Sequence, residues 1–205
     1  AMAGLGCRFM TAYHALAHRA DLTPGDWVAV HGCGGVGLSA VHLADALGAS
    51  VVAVDVQDEK LSKARELGAR EVVNAEEEDV VEAIKRVTDG GADVSIDALG
   101  IAETARNSVA CLDRRGEHVQ VGLTTDEERG EVSLPTDLMA MTELSFHGAR
   151  GMPPTRYDEL LGLVEAGKVD PGKIVTRTVA LEDVPDRLAA MSDYATVGVE
   201  VVTEF

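Results

Sequence analysis

The chain has 205 residues, 46% of them hydrophobic and 26% charged, which are values of a globular protein rather than of a disordered or fibrous one. Thirty-five Asp and Glu against eighteen Lys and Arg leave a formal charge of −17, which repels nucleic acid and anionic membranes. No apolar run approaches the roughly 20 residues of a membrane-spanning helix, and the first residues carry no secretory-signal pattern.

Only five of the cations are Lys. Such a composition resembles that of proteins from salt-loving organisms, and it equally fits an acidic protein from a GC-rich genome. The three cysteines, Cys7, Cys33 and Cys111, make no even disulfide framework and predict a reducing, cytoplasmic setting.

In chain order, residues 1–22 predict a helix with Phe9, Ala12, Tyr13, Leu16 and Ala20 near one face. After the turn Thr23-Pro24-Gly25-Asp26, strands are predicted at 28–31, 51–55, 71–74, 93–97, 117–121 and 143–147. Helices are predicted between them at 36–47, 58–67, 80–88 and 101–112, several stopped by glycine. The acidic cluster Glu76-Glu77-Glu78-Asp79 falls at a helix start, where the helix dipole favours carboxylates. The strands are continuous apolar runs, as expected when helices cover both faces of a parallel sheet. The expectation is therefore an α/β fold, a doubly wound, six-stranded parallel sheet of Rossmann type. Beyond the break at Pro153-Pro154, a helix (157–166), a strand (174–179), a helix near 184–191 and a strand (199–202) follow. The last strand suggests pairing outside the main sheet, with no evident partner in the chain.

Gly32-Cys33-Gly34-Gly35-Val36-Gly37 follows the first strand and opens the next helix with the spacing G-x-G-x-x-G. The first glycine permits the tight turn, the second lets backbone approach a pyrophosphate, and the third packs helix on sheet. The helix N-terminus then offers N–H groups to an anion. Asp55 ends the second strand 18 residues after Gly37, where a carboxylate can accept from an adenosine ribose. The alternative is a glycine-rich turn with a strand-end Asp and no ligand. No Arg stands among Val56, Gln57, Asp58 and Glu59 to meet a 2′-phosphate, so NAD is expected over NADP.

Three further stretches carry a resemblance. They are Gly6-Cys7-Arg8-Phe9-Met10-Thr11-Ala12-Tyr13, Leu22-Thr23-Pro24-Gly25-Asp26, and the glycine loop running on into Leu38-Ser39. With Val52 to Asp55, Lys60, Ala64, Leu67-Gly68-Ala69, Asp93 to Gly100 and Val119 to Leu123, the sequence resembles the zinc-dependent alcohol dehydrogenases, the medium-chain dehydrogenases, over essentially its whole length. Members of that family carry a GroES-like catalytic domain, a central Rossmann domain and a short C-terminal return.

The resemblance implies a lead-in at 1–22 from a catalytic domain, a Rossmann domain at 23–150, and a return at 151–205. The strands at 174–179 and 199–203 would then be orphans of a missing domain, and this piece alone is expected to be inactive. It also implies Cys7 as a ligand of a catalytic zinc, and Thr11 against the nicotinamide. Gly32, Gly34, Gly35, Val36, Gly37, Asp55, Lys60, Ala98, Leu99, Gly100, Val121, Gly122 and Leu123 would line the cofactor. From the residues alone, Cys7 reads equally as a small helix thiol, Thr11 as a hydroxyl bonding back to its own turn, and Lys60 as a solvated helix charge. Some members place an arginine on the pyrophosphate near the chain end; the matching Thr196-Val197-Gly198-Val199-Glu200-Val201 has none, which leaves the cation missing or supplied elsewhere.

The function so implied is hydride transfer between a small alcohol or aldehyde and NAD, in a homodimer or homotetramer joined through the edge strand Leu144-Ser145-Phe146-His147. Alternatives are a zinc-free, quinone-reductase-like member and a stand-alone NAD-binding regulatory module. A short-chain dehydrogenase is disfavoured, because Tyr13, Tyr157 and Tyr194 are followed four residues later by Ala17, Leu161 and Gly198 rather than Lys. A methyltransferase is disfavoured by His31 where an acidic residue would stand. His14 and His18, at i and i+4, are expected to be partly exposed helix histidines rather than a metal pair. Cys111 is expected in the core, and neither His31 nor Cys33 is given a role.

Overall fold

Strands that are apolar along their whole length need cover on both faces, and the alternation of their side chains decides what covers which. The computed structural model describes residues 2–192 and 195–204. It opens with a 3₁₀ turn (Met2–Leu5), α1 (Cys7–His14) and a π turn (Ala15–Arg19). Strand and helix then alternate through β1 (Trp27–His31), α2 (Gly35–Ala46), β2 (Ser50–Asp55), α3 (Asp58–Glu66), β3 (Glu71–Asn74), α4 (Val80–Thr88), β4 (Ala92–Asp97), α5 (Ala102–Ala110), β5 (Leu112–Gln120), α6 (Thr136–Thr142) and β6 (Ser145–Gly148). α7 (Tyr157–Glu165), β7 (Val175–Ala180), α8 (Val184–Ser192) and β8 (Val199–Glu204) follow.

The first six strands form one parallel sheet in the order β3-β2-β1-β4-β5-β6. Val28 and Val30 of β1, Val51 and Ala53 of β2, and Val94 and Ile96 of β4 face a core closed by Phe9 and Leu16 near the N-terminus, Leu38 and Leu43 of α2, Leu61 of α3 and Leu160 of α7. The residues between them, Ala29, Val52 and Val54, face a second core with Val80, Ala83 and Ile84 of α4. One-residue alternation thus sorts the sequence into two cores, and the doubly wound expectation holds. The order reverses between β1 and β4, which opens a crevice at the carboxyl ends of these strands.

Local chemistry fixes several boundaries. Asp79, last of the acidic cluster, caps α4 by accepting from Glu82 N at 2.9 Å. Asp26 closes the turn before β1, accepting from Thr23 N at 2.7 Å. The single N-terminal helix expected over 1–22 is instead three pieces of different pitch, with Phe9, Ala12, Tyr13, Leu16 and Ala20 all buried. β5 begins five residues before the expected 117, because Leu112 already pairs with Ala92. The register then shifts, so that Val94 pairs with Glu117, and Arg115 sits in the left-handed region at φ 65°. The short α6 was not expected; it buries no side chain and so leaves little hydrophobic pattern to read.

The expectation that the last strand has no partner in the chain is corrected. β7 and β8 pair with each other, in parallel, as a separate two-stranded sheet. The sequence hid this because a parallel pair needs a crossover, here α8, and the two strands look unrelated along the chain. Arg187 of α8 ties the unit by two 2.6 Å hydrogen bonds to Glu200 of β8. Among the described residues, no helix is long and apolar enough to cross a membrane.

Candidate functional site

The glycine loop joins β1 to α2 at the sheet's reversal point. Gly32 adopts φ +90° and donates its N–H to Val54 O at 2.8 Å, fixing the loop to β2. A Cβ on Gly37 would stand 1.8 Å from Gly32 O, so the third glycine is what lets helix and loop touch. Around Gly34, by contrast, a Cβ would meet nothing within 4 Å. Gly34 is exposed and Gly35 and Val36 are half-buried, leaving the first N–H groups of α2 facing an open approach.

Asp55 reaches the same loop from β2. Its carboxylate accepts from Cys33 N at 2.7 Å, Val56 N at 2.9 Å and Gln57 N at 3.1 Å. Three backbone donors hold its orientation, and about one of the four lone-pair sites of a carboxylate stays available. Beside it opens a cleft of about 450 Å³ whose walls include Gly32, Asp55, Lys60, Leu99, Ile101 and Thr104. Lys60 is 6% exposed, so it is no solvated helix charge; its side chain lies in the cleft wall.

The far wall is braced by Asp97, the last residue of β4 and fully buried. It accepts from Leu99 N and Gly100 N, both at 2.9 Å, from Thr104 Oγ1 at 3.1 Å and from Gln120 Nε2 at 2.9 Å. Four donors on one buried carboxylate fix the loop from Ala98 to Gly100 against the end of β5. Gly122 lies so close that a Cβ on it would stand 2.4 Å from Gly100 N, and Val121 N and Gly122 N both donate to Asp97 O. Ala98, Leu99, Val121 and Gly122 are half-buried at this rim, and Leu123 is 86% exposed beyond it.

Cys7 and Thr11 lie one turn apart on α1. Cys7 is exposed, Thr11 is buried, and Thr11 Oγ1 sits 3.9 Å from Cys7 Sγ. Among the described residues, no group of three or more His, Cys, Asp or Glu is placed to hold a metal ion. The residues present therefore do not make a zinc centre by themselves. His14 and His18 touch each other, Nδ1 to Nδ1 at 3.2 Å, and His18 Nε2 meets Glu159 Oε2 at 2.7 Å. Both residues are partly exposed, as expected, although the His18 side chain itself is only 7% exposed where it meets Glu159. Desolvation, with the neighbouring His18, Arg19 and Arg156, lowers the pKa of His14.

Sequence reasoning missed three groups here. Asp97 was legible only as a strand end, since its donors come from 99, 100, 104 and 120. Arg8, next to Cys7, crosses to the glycine loop: a Cβ on Gly35 would stand 2.3 Å from both Arg8 Cδ and Nε. His31 stands in the cleft wall and is fully buried, with Nε2 3.6 Å from Cys111 Sγ and, among the described residues, no hydrogen-bond partner at Nδ1. Burial pushes its pKa down to about 4, with Asp97 opposing and His118 adding to the shift. Cys111 is a core thiol as expected, pushed up to about 12 by burial. Cys33 is buried too, its Sγ 3.6 Å from Val54 O, and burial raises its pKa strongly.

Known proteins are similar to this chain in sequence and fold. The chain is 33% identical, over 98% of its length, to an NAD-dependent alcohol dehydrogenase of Sulfurisphaera tokodaii, of which it covers 56%. It is 34% identical to the alcohol dehydrogenase class-2 isozyme 2 of Oryctolagus cuniculus over 90% of this chain and 49% of that one. The solved alcohol dehydrogenase of the archaeon Aeropyrum pernix superimposes with a TM-score of 0.85 at 32% identity, over 98% of this chain and 57% of that one. The chain thus spans about half the length of the curated relatives it matches. The family model that matches residues 35–166 takes in the helix opened by the glycine loop, β2 with Asp55, the Asp97 brace and α7, and by it the chain belongs to the zinc-binding dehydrogenases.

Proposed function

We propose that this chain is the cofactor-binding part of an NAD-dependent, zinc-type alcohol dehydrogenase, which moves hydride between a small alcohol or aldehyde and NAD. The cleft carries the reading: an open glycine loop, a strand-end carboxylate and a buried lysine converge at the reversal point of a Rossmann sheet. The alcohol dehydrogenases among the relatives support it.

NAD, when bound, supplies the hydride acceptor. Gly34, Gly35 and Val36 offer backbone N–H groups to its pyrophosphate, while Gly32 and Gly37 hold loop and helix together. Asp55 and Lys60 take the adenosine ribose. Ala98, Leu99 and Gly100, with Val121, Gly122 and Leu123, form the rim along the rest of the dinucleotide, and Thr11 lies against the nicotinamide. Cys7 is one zinc ligand, the others lying outside these 205 residues. The return at 151–205, with Leu188 57% and Met191 44% exposed on α8, faces the catalytic domain. β6, at the edge of the sheet, joins subunits of a dimer or tetramer. Glu76 and Glu103 also line the cleft; together with Asp55 they would repel a 2′-phosphate, which supports NAD over NADP.

The test is a titration of the intact protein with NADH and NADPH, followed by metal analysis and alcohol oxidation. Tighter binding of NADH, bound zinc and NAD-dependent turnover are expected. A tenfold preference for NADPH overturns the cofactor choice, and absence of zinc in an active protein favours the quinone-reductase-like alternative. Measurable alcohol oxidation by the 205-residue chain alone overturns the division of labour.

A further inference from the structure

The geometry points to Arg8 as the cation that neutralises the cofactor's pyrophosphate on the glycine loop, an inference that rests on the cofactor reading above. A dinucleotide brings two negative charges to a chain whose formal charge is −17. Asp55, Glu76 and Glu103 stand along the cleft itself, where the cation in the wall is Lys60. Lys60 is on α3 and shares the cleft wall with Asp55. Backbone N–H groups and the dipole of α2 supply partial positive charge only.

Arg8 fills that place from another element. It is the second residue of α1, and the side chain leaves α1 to lie across Gly35, the first residue of α2. The distances of 2.3 Å to Cδ and Nε and 3.3 Å to Cζ from a Cβ position on Gly35 put the head of the side chain, not only its stem, at the helix N-terminus. Gly35 has no side chain to displace it. Among the described residues, no hydrogen bond or ion pair engages the guanidinium, although this chain has about two carboxylates for every cation. Arg8 is half-buried on the loop, and the neighbouring position, Gly34, is open to an incoming group. A planar guanidinium with its donors unused, next to exposed N–H groups, suits bidentate contact with phosphate oxygens. The arginine lacking from residues 196–201 is thus replaced from the other end of the chain.

ADP-ribose carries the pyrophosphate without the nicotinamide, so its binding isolates this contact from hydride transfer. Isothermal titration of the intact protein with ADP-ribose should show Arg8→Met weakened about tenfold or more relative to wild type, and Arg8→Lys weakened less. Screening should narrow the gap between wild type and Arg8→Met as salt rises from low to molar. A purely structural role would leave that gap unchanged. Affinity of Arg8→Met within twofold of wild type, or a loss that does not shrink with salt, overturns the assignment of Arg8. Failure of wild type itself to bind ADP-ribose overturns the cofactor reading, and this inference with it.

Discussion

Gly37 and Gly32 touch: a Cβ on Gly37 would stand 1.8 Å from the carbonyl oxygen of Gly32 and 2.9 Å from its carbon. Both atoms belong to backbone, so neither can swing aside. Gly37→Ala must push α2 away from β1, across the core that Leu38 and Leu43 share with Val28 and Val30. Overpacking of this kind costs about 1–3 kcal/mol, and the expected result is a lower urea midpoint with an unchanged m-value. Gly34→Ala is the contrast. A Cβ there meets nothing within 4 Å and φ is −76°, so stability should fall by about 1 kcal/mol or less, mostly through the poorer helix cap. NADH affinity should nevertheless drop, because the added methyl occupies the approach to the exposed N–H groups. Equal stability loss in the two variants would refute the distinction.

These two glycines also mark how much was legible beforehand. The spacing of residues 32–37, with Asp55 after it, located the cleft, because backbone approach and positive φ restrict residue choice so severely. β1, β2 and β4 were legible because two-sided burial makes them largely apolar, whereas β5 and β6 mix in polar, exposed positions. Arg8, Asp97 and Lys60 were not legible as a set. A polar side chain's partner depends on where other elements arrive, and in the sequence Arg8 stands 27 residues from Gly35. The β7–β8 pairing was hidden for the same reason.

Acid should weaken the fold through His31. The imidazole is fully buried and its pKa is held down to about 4, against the ordinary histidine value of 6.5, chiefly by desolvation. Protonation therefore favours the unfolded chain. The contribution is fully present above pH 6.5 and is lost progressively as pH falls from 6.5 towards 4. At 1.36 kcal/mol per unit, it amounts to about 3 kcal/mol. Urea denaturation across this window should show a shallower pH dependence in His31→Leu than in wild type. Parallel curves would mean that His31 is not the group being titrated.

A buried chain of polar groups links the sheet to α5. Ser95 Oγ meets Ser108 Oγ at 2.6 Å, Ser108 Oγ meets His118 Nδ1 at 2.8 Å, and His118 Nε2 meets Gln120 Oε1 at 3.0 Å. Gln120 then donates to Asp97, so the chain ends at the brace of the cleft. Ser95, Ser108 and His118 are all 0% exposed. Ser108→Ala strands His118 Nδ1 and leaves Ser95 Oγ only the weak Cys111 thiol at 3.7 Å, and should cost about 1–3 kcal/mol. Ser95→Ala and Ser108→Ala together should cost less than the sum of the single changes, because they share one contact. Additive costs in that double-mutant cycle would show that the two hydroxyls do not act as a pair.

Arg187 and Glu200 should control the two-stranded sheet. A pair of parallel strands has little independent stability, and here β8 is held to the crossover helix α8 by two short, parallel hydrogen bonds at 2.6 Å. Glu200 also lies 3.7 Å from Arg177 of β7, so one carboxylate ties all three elements. The Arg187 hydrogen bond lowers the pKa of Glu200, so the tie persists above the ordinary carboxylate value of 4.5 and weakens as pH falls through the depressed one. Glu200→Gln removes the charge and leaves only one acceptor oxygen. Hydrogen exchange at pH 7 should then quicken across residues 175–180 and 199–204 while β1, β2 and β4 keep their protection, since they belong to a separate sheet. Uniform loss of protection through both sheets would instead mean that the C-terminal unit and the cofactor domain open together.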